Sequence, residues 1–353
     1  MKETFTMVVV GVDVHKRTHT FVAVNEVGRK LEAKTAKATS AGHTEAIRWA
    51  RERFGTDLIW GIEDCRNMSA RLERDLLSHG QKVVRVPTKL MAQTRASARS
   101  QGKSDPIDAE AVARAVLREP DLPIASHDEI SRELKLLVDR RETLVGQRTA
   151  TINSLRWRIH ELDPEFVLGA LDRDKHQQAL WAVLDAHSGL VAELAGEELL
   201  EIIELTDKIN ALEKRIGARV REVVPTLLEL PGCGELTAAK IVGETAGITR
   251  FSSEAAFARH AGVAPIPVWS GDNTGRVRLS RAGNRQLNAA LHRIAITQIR
   301  CPGPGQSYYR KKLERKTKKA ALRCLKRYIA RDVVHRLRTD HQTHDQSPQH
   351  AAA

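Results

Sequence analysis

In the N-terminal part of the chain, apolar residues come in short bursts bounded by charged and glycine-containing breaks. The run "MVVVGVDV" at Met7–Val14 is apolar at nearly every position and predicts a strand buried on both faces. "THTFVAV" at Thr18–Val24 alternates and predicts a second strand; "KLEAKTA" at Lys30–Ala36, after the turn-like "NEVG", predicts a third. The period then lengthens to that of a helix in "SAGHTEAIRWARERFG", with Ser40 as its expected cap and Gly55 as its stop. "DLIWGIED" predicts a fourth strand, buried at Leu58–Ile62, and "SARLERDLLSHG" a helix that stops at Gly80. "KVVRV" at Lys82–Val86 predicts a fifth strand, and "DPIDAEAVARAVLRE" a helix with Pro106 in its first turn. Three closely spaced strands imply antiparallel hairpins, and the later alternation of strand and helix implies parallel additions. The expectation for residues 1–122 is therefore an α/β domain with a mixed five-stranded sheet, in the order of the RNase H-like fold.

From Ile130 the pattern changes. Leu134, Leu137, Leu144, Ile152, Leu155, Ile159 and Leu162 recur at helical spacing, as do Leu205, Ile209, Leu212, Ile216 and Val220. Two long amphipathic helices follow for residues 127–222, interrupted between Pro164 and Ser188. They suit either a hairpin within one chain or a coiled-coil dimerisation arm. A third, mainly helical region covers residues 223–339. In it "LLELPGCGELTAAKIVGE" sets Pro231, Gly232 and Gly234 between two helices. This is a helix-hairpin-helix pattern, whose turn amides can hold a DNA phosphate, or else a plain helical corner. Residues 340–353, "DHQTHDQSPQHAAA", are polar and expected to be disordered.

Charge sharpens this picture. The 353 residues carry a net charge of +13, and between Cys301 and Thr339 thirteen lysines and arginines face only Glu314 and Asp332. So concentrated a basic tail points to nucleic acid as partner rather than to a merely solvated surface. Lys311, Lys312, Arg315, Lys318, Lys319 and Lys326 are its expected contacts, joined by Lys16 and Lys103 elsewhere in the chain. Cys65, Cys233, Cys301 and Cys324 form no CxxC pair, which argues against a zinc site or a disulfide framework. No apolar run is long enough to span a membrane and the N-terminus has no cleavage signature, so a cytoplasmic protein, at the nucleoid when acting, is expected.

The candidate chemistry lies in acids at element ends. Asp13 ends the first strand and Glu63 the fourth, and in the expected topology those strands are neighbours. Asp105 and Asp108 lie three apart at the start of a helix, hence on one face. Each alone has a plain reading, as a helix-dipole partner or a solvated strand end. Together they would repel unless a hard cation neutralised them, and Mg²⁺ or Mn²⁺ suits carboxylates, water and phosphate oxygens. Asp64 and Glu110 are the local rivals.

At these residues the sequence resembles a known family. "GVDVHK", "GIED", "KSDPIDAEAVARA", "LPGCGELTA" and "VWSGDNTGRVRLSRAGNRQL", in this order, look like the DEDD transposases of the insertion-sequence-110 family, from Met7 to about Arg338. Asp64 and Cys65 after the glutamate, and Cys233 in "LPGCG", depart from the common pattern without removing a functional group. The resemblance implies a RuvC-like N-terminal domain with Asp13, Glu63, Asp105 and Asp108 as its tetrad. It also implies a C-terminal transposase domain whose nucleophile is Ser270, which joins covalently to a DNA phosphate. It further implies a non-coding bridge RNA pairing with donor and target DNA. A homo-oligomer, dimer or tetramer, would complete each site between subunits.

The residues themselves say less about Ser270. It sits in the glycine-bracketed "WSGDNTG", with Arg276, Arg278 and Arg281 following as candidate phosphate ligands. A Ser-Gly pair is also an ordinary turn, and Ser280 is a rival whose simpler job is helix capping. Two other functions fit parts of the pattern. One is a resolvase-type nuclease without a serine nucleophile. The other is a non-catalytic nucleic-acid-binding protein, which would leave the four acids unexplained.

Overall fold

The computed structural model describes residues 7–63, 68–96, 104–119, 122–126, 128–269, 277–279 and 283–345. The chain divides into two compact units, Met1–Glu129 with Thr245–Arg338, and Ile130–Glu244 with Thr339–Ala353.

The valine-rich opening forms β1 (Val8–Val14), followed by β2 (Thr18–Asn25) and β3 (Lys30–Lys37). Next come α1 (Ser40–Phe54), β4 (Leu58–Glu63), α2 (Ala70–Ser78) and β5 (Lys82–Val86). The sheet order is β3-β2-β1-β4-β5, with β1 antiparallel to β2 and parallel to β4, which is in turn parallel to β5. This is the mixed five-stranded sheet that the sequence predicts. Because β1 is central, both its faces are buried and its side chains divide by parity. Val8, Val10 and Val12 join Phe21, Trp60 and Ile62 in a core closed by Ala46, Ile47 and Ala50 of α1 and Leu72 and Leu76 of α2. Trp60 keeps its indole N–H satisfied by donating to Gln81 Oε1 at 2.9 Å.

Two elements differ from the sequence reading. The cap of α1 is Thr39, whose hydroxyl accepts from the Gly42 N–H at 3.2 Å, while Ser40 is already helical. An additional helix, α3 (Thr88–Ala96), follows β5; its Leu90 and Met91 pack into the second core. A segment that short, with few apolar positions, carries too little periodicity to be seen in advance.

The opposite face of the sheet is covered by α4 (Asp105–Arg118). Val9, Val22, Val24, Val84 and Val86 meet Ala109, Val112, Ala113 and Val116 there. Gly11 and Gly61 are register partners on β1 and β4. A β-carbon at Gly11 would lie 2.0 Å from the Ala109 carbonyl oxygen and 2.5 Å from Ala113 N. One at Gly61 would lie 2.8 Å from Val116 Cγ2. The paired glycines thus form the seat of the helix, and only a missing side chain lets its backbone come so near.

On the α1 face, His19 and His43 are buried and stacked, their rings 5.1 Å apart. His43 Nδ1 lies 2.6 Å from Asp75 Oδ2. Burial, reinforced by the charge of His43, holds the His19 imidazole down at about 4.

The second unit is built on α5 (Glu129–Leu162) and α7 (Leu190–Val223). Between them lies the shorter α6 (Asp174–Asp185), whose Leu180 and Leu184 complete a core with Leu155, Ile159, Leu199 and Ile202. Ion pairs link Glu133 to Arg219 at 2.9 Å, Arg141 to Glu213 at 2.6 Å and Arg158 to Glu198 at 3.0 Å. Partners descend along α7 as they ascend along α5, so the two helices form an antiparallel pair within one chain. The buried leucines and isoleucines supply most of the cohesion, since exposed ion pairs contribute only about 0–1 kcal/mol each. The short α8 (Pro225–Leu228) and α9 (Glu235–Thr245) follow. Lys240 of α9 binds Glu142 at 2.7 Å.

The first unit resumes with α10 (Glu254–His260), the strands β6 (Pro265–Pro267) and β7 (Val277–Leu279), and the helices α11 (Arg285–Arg300), α12 (Pro304–Leu313) and α13 (Lys318–Asp345). The helix α13 runs on into the stretch from 340 expected to be disordered. Asp340 is buried there and accepts the Thr226 backbone N–H at 3.1 Å, which ties the helix end down. Among the described residues, no helix is long and apolar enough to cross a membrane.

Two outcomes follow. Gly11→Val forces α4 off its seat and lowers stability by about 3 kcal/mol, read as a reduced urea midpoint; an unchanged midpoint refutes the seat. Separately, His19 is neutral when folded and takes up a proton on unfolding. Its contribution is complete above its ordinary value of 6.5 and is lost as pH falls toward about 4, a loss of about 3 kcal/mol. The variant His19→Asn should flatten that limb of the stability–pH curve.

Candidate active site

Parity and the helix seat together bring the predicted acids to one end of the sheet. Along β1, Val9, Gly11 and Asp13 face α4; along β4, Ile59, Gly61 and Glu63 do the same. Val12 pairs with Ile62, so Asp13 and Glu63 come next, side by side at the carboxyl ends of parallel strands. That parity favours Glu63; its rival Asp64 lies outside the described residues.

The third and fourth acids arrive on the first turn of α4. Ser104 is the residue before the helix, extended at φ −155°, and Pro106 stands in its first turn. Asp105 and Asp108 therefore lie where the backbone N–H groups of the helix point, a favourable position for negative charge. Asp108 is buried at 9% exposure, while the Asp105 side chain is 54% exposed.

His15 joins them. Its Nε2 lies 3.0 Å from Asp13 Oδ2 and 3.5 Å from Asp105 Oδ1. The Asp13 carboxyl is raised above its usual value, first by burial, against the pull of His15, and further by the charges of Asp108 and Asp105. Asp13, His15 and Asp105 each offer a ligand atom, and these atoms lie within 4.8 Å of one another. Two carboxylates so close, one of them reluctant to ionise and both beside an imidazole nitrogen, fit a divalent cation that removes the repulsion. The sequence reading overlooks His15. The signal is present in "DVH": a spacing of two on a strand puts both side chains on one face.

The other expected site residues divide into three groups. Ser270, Lys103, Arg276 and Arg281 lie outside the described residues, as does the rival Ser280. Lys16, Arg278, Lys311, Arg315, Lys318 and Lys319 are exposed, and Lys312 sits 5.1 Å from the centre of the Tyr308 ring. Gly232, with φ +86°, and Gly234 form the turn that leads into α9. Lys326 needs a correction. It is 7% exposed and its ammonium donates inward to Asn288 Oδ1, so it is not a surface contact.

That inward lysine belongs to a clamp. Asn288 Nδ2 donates to the Ala261 and Gly262 carbonyls at 2.8 and 3.2 Å, and the Asn284 N–H to the His260 carbonyl at 2.7 Å. Gly262 and Gly283 touch backbone to backbone; a β-carbon at Gly283 would lie 2.2 Å from Gly262 Cα. The clamp closes the two ends of the segment that carries β6, β7 and, in sequence, Ser270.

Comparison with known proteins bears on what this arrangement is. A family model for DEDD transposases of the IS110 family matches residues 10–163, and a second, described as transposase of the IS116/IS110/IS902 family, matches residues 224–310. The chain belongs to the IS110 family of transposases. The uncharacterized protein of insertion element IS116 from Streptomyces clavuligerus is 26% identical to this transposase over 86% of its chain and 87% of the relative. The uncharacterized protein of IS900 from Mycobacterium paratuberculosis is 25% identical over 90% and 92%. The transposase of insertion sequence element IS1111A from Coxiella burnetii is 25% identical over 54% and 53%. Among solved structures, T. thermophilus RuvC in complex with a Holliday junction substrate matches 33% of the chain and 99% of its own, with 13% identity and a TM-score of 0.27.

A cation-binding cluster has a thermal signature. In chelator, Asp13→Asn should melt above the parent. The raised carboxyl is stabilising only while protonated, and its ionisation costs stability as pH rises through its raised value. Added Mg²⁺ should reverse the order, raising the parent's melting temperature by several degrees and leaving Asp13→Asn unmoved. Equal shifts in both proteins would show that Asp13 holds no cation.

Proposed function

We propose that this transposase recombines DNA under the guidance of a non-coding bridge RNA, through a covalent serine–DNA intermediate. The observation that carries the reading is the convergence of Asp13, His15 and Asp105, with Asp108 beside them, at one end of the sheet in a chain of this family. Asp13, Glu63, Asp105 and Asp108 would hold Mg²⁺ or Mn²⁺. When bound, such a cation supplies charge neutralisation at a phosphodiester and lowers the cost of forming an oxyanion.

The chain's own groups do the rest. The Ser270 hydroxyl gives up its proton and attacks phosphorus; one P–O bond forms and the bond to the leaving deoxyribose oxygen breaks, that oxygen taking a proton. Arg276, Arg278 and Arg281 bind the non-bridging oxygens and offset charge as it develops. The attack of that freed hydroxyl on a serine-linked strand reverses the step and joins new ends. Gly232 and Gly234 offer turn amides to a phosphate in helix-hairpin-helix fashion. The basic tail at Lys311, Lys312, Arg315, Lys318 and Lys319 grips nucleic acid. We assign the acidic chemistry to residues 1–122, a helical arm to 127–222 and the serine chemistry to 223–339. In a homo-oligomer, the acids of one subunit would serve the serine of another.

Denaturing gels of protein mixed with its element DNA, guide RNA and Mg²⁺ test this. A protein–DNA adduct should form, and Ser270→Ala should abolish it and lower recombination about a thousandfold or more. Mixing Ser270→Ala with Asp13→Ala should restore part of the activity if sites are shared between subunits. Undiminished cutting by Ser270→Ala would instead mark a resolvase-type nuclease.

A further inference from the structure

The C-terminal helices of the first unit help to form a cavity of about 530 Å³, of whose lining the reading above uses only Arg278. Part of its lining is apolar, from Val263, Pro265, Val277 and Ala320. Beside it stand Tyr308 and Tyr328, stacked with ring centres 5.0 Å apart and 24° between planes. Arg331 lies over the Tyr328 ring at 5.4 Å, which holds a guanidinium at the cavity. Arg278, Lys316, Arg323 and Arg327 also line it, with Glu254 the one acid among the described lining residues. Among the described residues, none of these four cations has an ion pair or a hydrogen bond.

Two features have to be met by the same ligand. Unpaired cations around a concave surface call for an anion. A wall of aliphatic side chains and tyrosine calls for a flat or apolar body that leaves water. Inorganic phosphate meets the first alone, and an apolar metabolite the second alone. Paired duplex presents phosphates but keeps its bases stacked inside. A nucleotide turned out of its stack presents both, a planar base and a phosphate, and the volume falls within the ~300–1,000 Å³ of small-ligand pockets.

We infer that this cavity receives one unstacked nucleotide of the nucleic acid the transposase works on. The base lies against Val263, Val277 and the edge of the tyrosine pair, and its phosphates are held by Arg323 and Arg327. Glu254 offers the base an acceptor for an amino group. The inference rests on the nucleic-acid reading of the basic tail, and adds to it a place where a single base leaves its helix. Nothing in the cavity distinguishes deoxyribose from ribose, so the strand is DNA or RNA by experiment.

The test uses full-length protein and fluorescence anisotropy with labelled duplexes, DNA and RNA, each either fully paired or carrying one bulged nucleotide. The bulged form of one of them should bind about tenfold tighter than its paired counterpart, the scale of one base stacked on protein. Val277→Trp fills the cavity from a residue that is 51% exposed, and Arg323→Ala removes a phosphate ligand from the surface, so neither disturbs the core. Both should erase the tenfold preference; Val277→Trp should leave affinity for paired duplex unchanged. A parent protein that binds paired and bulged duplexes equally, or variants that retain the preference, would overturn the nucleotide pocket while leaving the basic tail as a nucleic-acid surface. Failure to bind any of the four would overturn that surface as well.

Discussion

The close contact between α4 and the paired glycines of β1 and β4 governs the N-terminal half of the chemistry. Two neighbouring strands give up their side chains at the same register step, Gly11 beside Gly61. The helix backbone descends into the gap, and its first turn is thereby fixed against the strand ends two residues further on. That contact places the acids. Their spacing is set by hard-sphere contact beneath them, the stiffest restraint a protein interior offers. The cost is electrostatic, since burial and the charges of Asp105 and Asp108 raise the Asp13 carboxyl against the pull of His15. Stability is sacrificed locally for a cluster that is ready for a cation.

The second unit solves a different problem by different means. Its antiparallel pair of long helices has a continuous apolar seam from Leu134 to Ile159 on one side and Leu199 to Val220 on the other. Salt bridges across the seam set the register more than they add cohesion. Lys240 and Lys135, bound to Glu142 and Glu244, then fasten α9 against α5. Several basic residues here are engaged in internal pairs, whereas, among the described residues, Lys316, Arg323 and Arg327 of the C-terminal region have no ion pair.

How much of this was legible in the sequence depended on whether a signal is periodic or singular. The five strands, their order, and helices α1, α2 and α4 follow from apolar periodicity and from glycine and proline punctuation. Asp13, Glu63, Asp105 and Asp108 could be grouped because each ends or begins such an element. Single-residue facts were less visible. Thr39 rather than Ser40 caps α1, because adjacent hydroxyls are equivalent until the backbone turns. His15 was overlooked although its partner Asp13 is two residues away; its other partner, Asp105, is distant in sequence. Lys326 reads as one more charge in a basic run, yet the helical period carries it to the inner face, where Asn288 receives it. The tyrosine pair is separated by a helix boundary and becomes a unit only in three dimensions.

The clamp at Gly262, Gly283 and Asn288 has an implication for how such a protein can change. The segment from Ala264 to Ala282 is closed at its roots by backbone contact and by hydrogen bonds to a side chain on α11, all outside the segment itself. The entropy of closing it is met by the frame, and lengthening a closed segment adds only slowly to that cost, about 0.6 kcal/mol per doubling. Sequence between the roots is then free to diverge under selection for what it touches. Divergence of that kind need not pass through unfolded intermediates, so the sequence between the roots can change while the scaffold stays the same.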